Sequence, residues 1–252
     1  MERIVITESG GVRTVTLNRP EKRNALDAVM LDELAAAFES PGPDERVAVL
    51  RANGPVFCAG LDLRERGESG PAAGASPIEH VLERVEHYPL PVVAVVQGDA
   101  IAGGNELALH CDFVVASTAA RFGMSLAQIG LAPTWFLAKK LLEVAGPVAT
   151  REILLLGDPL SAERMHALGV IARVAPPELL EAEARVLIDR LAANAPLSLR
   201  AMKALLVREM AFRDTIPHAD VDALVDAART SADAREGMAA RLKKRPPRFT
   251  GA

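Results

Sequence analysis

Two stretches about forty residues apart constrain this chain more than anything else in it: FCAGLDL, Phe57 to Leu63, and QGDAIAGGNELALHCD, Gln97 to Asp112. Each leaves an apolar, β-like run (Val47 to Leu50, then Val92 to Val96), turns on small residues and enters a helical pattern. A chain that twice runs strand, glycine turn, helix is set to build a layered α/β fold. It also leaves donors to spare, because first-turn amides have no intrahelical acceptor and sit at the positive end of the helix dipole. Two such turns facing one another can hold one oxygen that becomes negative during a reaction.

The second stretch adds a proton-transfer group. Gly103 and Glu106 stand three apart in a helical pattern, which predicts the carboxylate on the same face as the Gly103 amide and within one turn of it. The missing side chains at Gly103 and Gly104 leave room for a substrate against the backbone. The competing expectation is that both glycines serve close helix packing and that Glu106 is a solvated helix residue. Cys58 reads either as a nucleophile or, more commonly for this type of position, as a small buried thiol at a strand end. His110, four residues after Glu106, can orient that carboxylate or ligate a metal, but no third ligand accompanies it and no metal is expected. Neither a dinucleotide-binding fingerprint nor a phosphate-loop motif occurs.

Composition narrows the class. With 252 residues, half of them hydrophobic, and a mean hydropathy of +0.15, the chain can bury one large core or a core with a small appendage. No apolar run reaches the roughly eighteen residues of a membrane span. The start MERIVITE lacks a basic and apolar leader, so the expectation is a cytoplasmic protein without a membrane partner. A net charge of −4 gives no general attraction for nucleic acid, and the one sizeable basic cluster, Arg241 to Arg248, reads as a solvated helix end or as an approach to phosphates. Cys58 and Cys111 are too few for a disulfide framework and are expected to be reduced.

Strand-like runs fall at Ile4 to Thr7, Val12 to Leu17, Val47 to Leu50, Val92 to Val96 and Phe113 to Ala116, with a hairpin turn at Ser9-Gly10-Gly11. Helical patterns cover Leu26 to Glu39, Ile78 to His87, Gly103 to His110, Trp135 to Val144 and Val148 to Leu156, and Ser161 reads as an N-cap. From Glu178 onward no strand signal remains, and Pro196 marks a helix start. The glycine- and proline-rich stretch Arg64 to Pro77 reads as a mobile loop.

Beyond the two central stretches, LNRPEKRNALD at Leu17 to Asp27, RFGMSLAQIGLAP at Arg121 to Pro133, SAERMHALGVIARV at Ser161 to Val174 and REGMAARLKKRPPRFTG at Arg235 to Gly251 complete an ordered set. On these segments the chain resembles the crotonase family, also called the enoyl-CoA hydratase/isomerase family, over nearly its whole length. The resemblance implies an α/β spiral of ββα units over residues 1–194, carrying the CoA and active sites. A C-terminal all-helical region over 195–252 would build homotrimers or homohexamers. It implies an acyl-CoA substrate, with coenzyme A as part of that substrate and no separate cofactor. The Leu61 and Gly103 amides would form the oxyanion hole, and Glu106 would be the acid/base. Arg23, Ala25, Ala59, Asp62 and Arg64 would lie along CoA, and Leu126 and Pro133 would contact the substrate.

One departure from the family pattern bears on the reaction. Family hydratases use a second glutamate four residues after the phenylalanine of the RFG segment, and here that position is Leu126. One carboxylate alone cannot both activate water and exchange a proton with the carbon next to the thioester. Gln128, Thr134, Glu68, Glu79 and His80 are the candidates to fill the gap, each of them also readable as a solvated or packing residue. Hydration of a 2-enoyl-CoA is the leading expectation, with isomerisation or decarboxylation on the same scaffold as alternatives, and a noncatalytic CoA-binding subunit as a third.

Overall fold

The computed structural model describes residues 2–64 and 76–251. Much of the expected Arg64–Pro77 loop, with Glu68, lies outside them. The chain opens with a hairpin of β1 (Ile4–Ser9) and β2 (Val12–Leu17), joined by Gly10 and Gly11 at φ +58° and +77°. Two successive left-handed residues fit a two-residue turn whose twist matches the strands. β3 (Val47–Ala52), β4 (Val92–Val96), β6 (Phe113–Ser117) and β9 (Arg173–Ala175) then add in parallel, giving the sheet order β1-β2-β3-β4-β6-β9.

Strand alternation divides the core in two. Val47, Val49, Val93, Val95 and Val115 face a helix over Leu180–Ala193, packing on its Leu180, Ala184, Ile188 and Leu191. Ala48, Leu50, Val92, Ala94, Val96 and Ala116 point the other way, into the larger core under the site. All five residues of β4 are buried, as a central parallel strand covered on both faces requires.

A second, smaller sheet of β5 (Ala100–Ile101), β7 (Arg121–Gly123) and β8 (Leu160–Ser161) stands beside the first. Cys58 forms a parallel bridge to Ala100, so each turn of chain contributes a strand to the large sheet and then a short pairing to the small one. The turn that contains β4 and β5 continues into a helix over Gly103–Leu109, and the turn of β6 and β7 leads to one over Trp135–Arg151. This is the expected spiral of ββα units. The expected break between two helices near residue 146 is real: Gly146 has φ +67°, and Pro147 follows it.

Among the described residues no strand follows Ala175; helices carry the chain to Leu242, with Pro196 as the first residue of Pro196–Met210. The last helices, Ala219–Thr230 and Ala232–Leu242, fold back onto the core. A Cβ on Gly237 would lie 2.3 Å from the Ile129 carbonyl oxygen, and one on Gly130 2.6 Å from that of Asp233, so this return depends on two glycines. Trp135 stacks at 4.4 Å on His218, the residue before Ala219–Thr230, and Lys139 pairs at 2.6 Å with Asp214 in the short helical turn Ala211–Thr215 that leads to it. No helix of the described residues is long and apolar enough to cross a membrane.

Candidate active site

The two glycine turns meet. Gly60, at φ +85°, lies so close to the second turn that a Cβ there would stand 2.9 Å from the Ile101 oxygen and 3.0 Å from the Gly103 nitrogen. Leu26 seals the first turn by taking the Gly60 carbonyl on its N–H at 2.8 Å and giving its own carbonyl to Asp62 N–H at 2.9 Å. Leu61 between them is skipped. Ala102 precedes the second helix at φ 51°, ψ −118°, a strained backbone for a residue with a Cβ, and this aims the next amide outward. Among the described residues, neither the Leu61 nor the Gly103 N–H has a protein acceptor, and both residues line one cavity of about 240 Å³.

Gly104 departs from expectation. A Cβ there would fall 2.2 Å from the Cys58 carbonyl oxygen, so its missing side chain permits helix packing and leaves no space for substrate. Cys58 is fully buried, and desolvation pushes its thiol up to about 12, which leaves it inert as a nucleophile.

Glu106 also lines the cavity, one helical turn into the chain from Gly103. Its carboxyl is fully buried and neither oxygen has a hydrogen-bond partner. Burial pushes its pKa up to about 8, against a weaker opposing pull from the Lys140 ammonium, so the group is a neutral acid near pH 7. His110 does not neutralise it. Its Nδ1 faces the Glu106 carbonyl oxygen at 2.7 Å but stands 3.9 Å from Oε2, and burial holds the imidazole down at about 4 and therefore uncharged. The His110 ring stacks on Phe136 at 5.3 Å. Lys140 is held by Glu86 at 3.0 Å and Glu143 at 3.3 Å. This buried cation and its two partners carried no sequence signal, since their relation to Glu106 exists only once the helices pack. No group of three or more His, Cys, Asp or Glu that could hold a metal occurs among the described residues.

Of the remaining expected contacts, Arg23, Ala59 and Leu126 line the cavity with Leu61, Gly103 and Glu106, whereas Ala25, Asp62, Arg64 and Pro133 do not. Asp62 serves the architecture. Burial would raise its pKa, but a 2.8 Å bond from Arg19 and one from the Arg64 amide hold it below the usual carboxylate range. The Arg19 guanidinium also donates to the Ala25 carbonyl, so Ala25 and Asp62 shape the loop that presents Arg23. Pro133 is bracketed by the lining residues Ala132 and Thr134, and Arg64 is exposed.

Much of the remaining lining is apolar, including Met124, Leu126, Ile129, Leu131 and Leu137. Gln128 is turned away, donating to the Leu156 carbonyl and to Asp158, and His80 is exposed. Thr134 lines the cavity, and its hydroxyl donates to Glu79 at 2.7 Å. Arg229 and Arg241, from the returning C-terminal helices, are also in the lining; the sequence pointed to Arg241 only as the start of a basic cluster that could approach phosphates, and gave no sign of Arg229. The rest of the basic tail folds on its own chain: Arg245 chelates Glu236 at 2.6 and 2.7 Å, and the Arg248 amide donates to the same carboxylate.

A spiral α/β core, two open amides and a buried lone acid in one cavity define the class of the crotonase fold. The chain belongs to the enoyl-CoA hydratase/isomerase family, whose description matches residues 7–252. It is 37% identical over 257 residues to a putative enoyl-CoA hydratase of Thermus thermophilus, covering 98% of this chain and all of that one. It is also 37% identical over 265 residues to the 1,2-epoxyphenylacetyl-CoA isomerase of Escherichia coli, covering 100% of this chain and 99% of the other. The crystal structure of a methylmalonyl-CoA decarboxylase superposes with a TM-score of 0.91 at 26% identity, over 99% of this chain and 98% of that one. Hydratase, isomerase and decarboxylase thus share this architecture.

Proposed function

We propose that the protein acts on an acyl-CoA thioester by way of a thioester enolate, and that its reaction is the reversible hydration of a 2-enoyl-CoA. The observation that carries the reading is the neutral, unpartnered Glu106 in the same cavity as two amides without acceptors. In it the Leu61 and Gly103 N–H groups bind the thioester oxygen and stabilise the negative charge that grows there when the β-carbon is attacked. Glu106, protonated, gives its proton to the α-carbon. Arg23 at the rim faces CoA phosphate.

Hydration also requires a group that takes a proton from water. Leu126 cannot do so, and the Thr134 hydroxyl, which lines the cavity and is backed by the Glu79 carboxylate, is suited to that role. Water gives its proton to the Thr134 oxygen as the Thr134 proton passes to Glu79. The similarity to an enoyl-CoA hydratase supports this assignment.

A second reading is decarboxylation of a malonyl-type CoA, favoured by the apolar wall at Leu126 and by the decarboxylase likeness. An apolar wall disfavours a carboxylate in the ground state, and the product enolate needs only one acid to quench it. Incubation with 2-enoyl, 3-enoyl and methylmalonyl CoA esters, followed by mass and absorbance, separates these reactions. Added mass of one water on a 2-enoyl-CoA supports hydration; loss of carbon dioxide with no hydration replaces it by the second reading; no turnover of any ester leaves a CoA-binding subunit.

Large apolar residues exposed on the C-terminal helices, among them Leu197, Leu205, Leu206 and Leu224, support a homotrimer or a dimer of trimers.

A further inference from the structure

Two arginines line a cavity whose neighbouring wall is apolar, and nothing in the enolate chemistry uses them. Arg229 ends the helix Ala219–Thr230 and is 3% exposed. Arg241 ends Ala232–Leu242 and donates to Ser125 at 3.3 Å. Ser125 adjoins Leu126, which with Ile129 and Leu131 forms the apolar wall. A guanidinium stays charged whatever its surroundings and has five N–H donors in a rigid fork, more than one acceptor satisfies. Arg229 has an interaction partner inside the protein, and Arg241 has Ser125, yet both still face the cavity.

Such a lining is unsuited to a plain hydrocarbon chain, since methylenes offer the guanidinium donors that face the cavity no acceptor. It suits a chain that is apolar along its length and anionic at its tip. We propose that the acyl group taken by this pocket carries a carboxylate at its far end, read by Arg229 and Arg241, so that the substrates are thioesters of dicarboxylic acids. The proposal rests on the reading of the cavity as an acyl-CoA site.

The position of the charges favours the far end over the carbon next to the thioester. The reacting end is held by the Leu61 and Gly103 amides and Glu106, all from the two glycine turns and the helix that follows the second, and the guanidiniums are on none of these elements. They also come from the returning C-terminal helices, whereas Arg23 comes from the segment beside the first glycine turn. The competing occupant is a phosphate of CoA itself, which would engage the same guanidiniums whatever acid is esterified.

The test is calorimetric binding of matched saturated thioesters to the full-length protein: glutaryl- against pentanoyl-CoA, adipyl- against hexanoyl-CoA, suberyl- against octanoyl-CoA, with free CoA as reference. In at least one pair the dicarboxylic ester is expected to bind at least about tenfold tighter, the scale of a close, partly desolvated charge pair. Arg241→Leu and Arg229→Leu should each bring that ratio towards one. The wild-type ratio needs no variant, so a variant that fails to fold leaves the proposal exposed to test. Equal binding within every pair overturns it while leaving the acyl-CoA reading in place. A ratio that survives both substitutions while affinity for free CoA falls assigns the arginines to a CoA phosphate and also overturns it. Failure of all these thioesters to bind removes the acyl-CoA reading, and this proposal with it.

Discussion

The two walls of the cavity are built on opposite plans. On one, the Leu61 and Gly103 amides and Glu106 are set by backbone: turns whose glycines touch at the limit of contact, a strained Ala102, and a carboxyl in a fixed place on a helix. On the other, Leu126, Thr134, Arg229 and Arg241 are side chains that come together from three separate parts of the chain. Backbone donors depend little on side-chain identity, so the first wall can stay constant across reactions. The second can be changed residue by residue, which is how one scaffold supports hydration, isomerisation and decarboxylation.

Predictions divide along the same line. Glu106→Gln removes the proton donor from the fixed wall and should lower turnover about 10² to 10⁴-fold with folding intact, as measured by steady-state kinetics. A loss of less than about threefold would take Glu106 out of the chemistry. Because the neutral acid donates, kcat/KM for hydration should fall as pH rises through about 8. Stability shares this group. A carboxyl raised to about 8 in the folded state binds more proton there than in the unfolded chain, so stability falls as pH rises from the ordinary glutamate range through about 8. Glu106→Gln should flatten that slope in thermal melts.

Gly103→Pro deletes one donor amide and should cost about 10² to 10³ in rate. Proline is tolerated at the first position of a helix, but a Cβ there meets Ile78 Cδ1 at 2.9 Å, so the variant must first match the wild-type melting temperature. Full activity in a folded variant would dismiss the two-amide site.

On the adjustable wall, Leu126→Glu restores a second carboxylate and should raise crotonyl-CoA hydration at least about tenfold. It should also cost about 1 to 3 kcal/mol in denaturant unfolding if the new group finds no partner. A wild type already turning over at roughly 10 to 10³ per second, with no gain in the variant, would show that Thr134 and Glu79 suffice. The smallest effect should come from Ala102→Gly. Release of a backbone strain of about 1 to 3 kcal/mol outweighs the glycine's entropy cost of about 0.5 to 1, so the melting point rises slightly. Activity should change less than about threefold, because Gly103 N–H keeps its place.

The same contrast decides what was legible in the sequence. The sheet, the hairpin at Gly10-Gly11, the break at Gly146 and the helix carrying Glu106 could be read because local pattern and backbone preference produce them. The short strands β5, β7 and β8 of the small sheet and β9 at the edge of the large one, of two or three residues each, were not read, since pairing and not periodicity defines them. Glu106 was placed by its spacing from Gly103, but its isolation depends on burial and on a His110 turned to the backbone. Asp62 looked free for CoA until Arg19, forty-three residues earlier, engaged it. Arg229 and Arg241 reach the cavity only through the helix return at Gly130 and Gly237, a contact about a hundred residues apart that no local spacing announces.

Under the proposed reading the two backbone amides hold a thioester enolate whose α-carbon exchanges a proton with Glu106, the neutral acid quenching the enolate and its carboxylate form, populated towards about pH 8, drawing the proton from a saturated ester. Exchange of the α-hydrogens of a saturated acyl-CoA in deuterium oxide, followed by mass spectrometry, tests that step without requiring the right unsaturated substrate. Hexanoyl-CoA and adipyl-CoA should both be offered, so that tail preference cannot mask the result. Wild type should incorporate deuterium next to the thioester in at least one of them, and Glu106→Gln should slow this by about 10² or more. No exchange of either ester by a folded protein that binds it, or equal exchange by wild type and Glu106→Gln, would rule out this enolate chemistry.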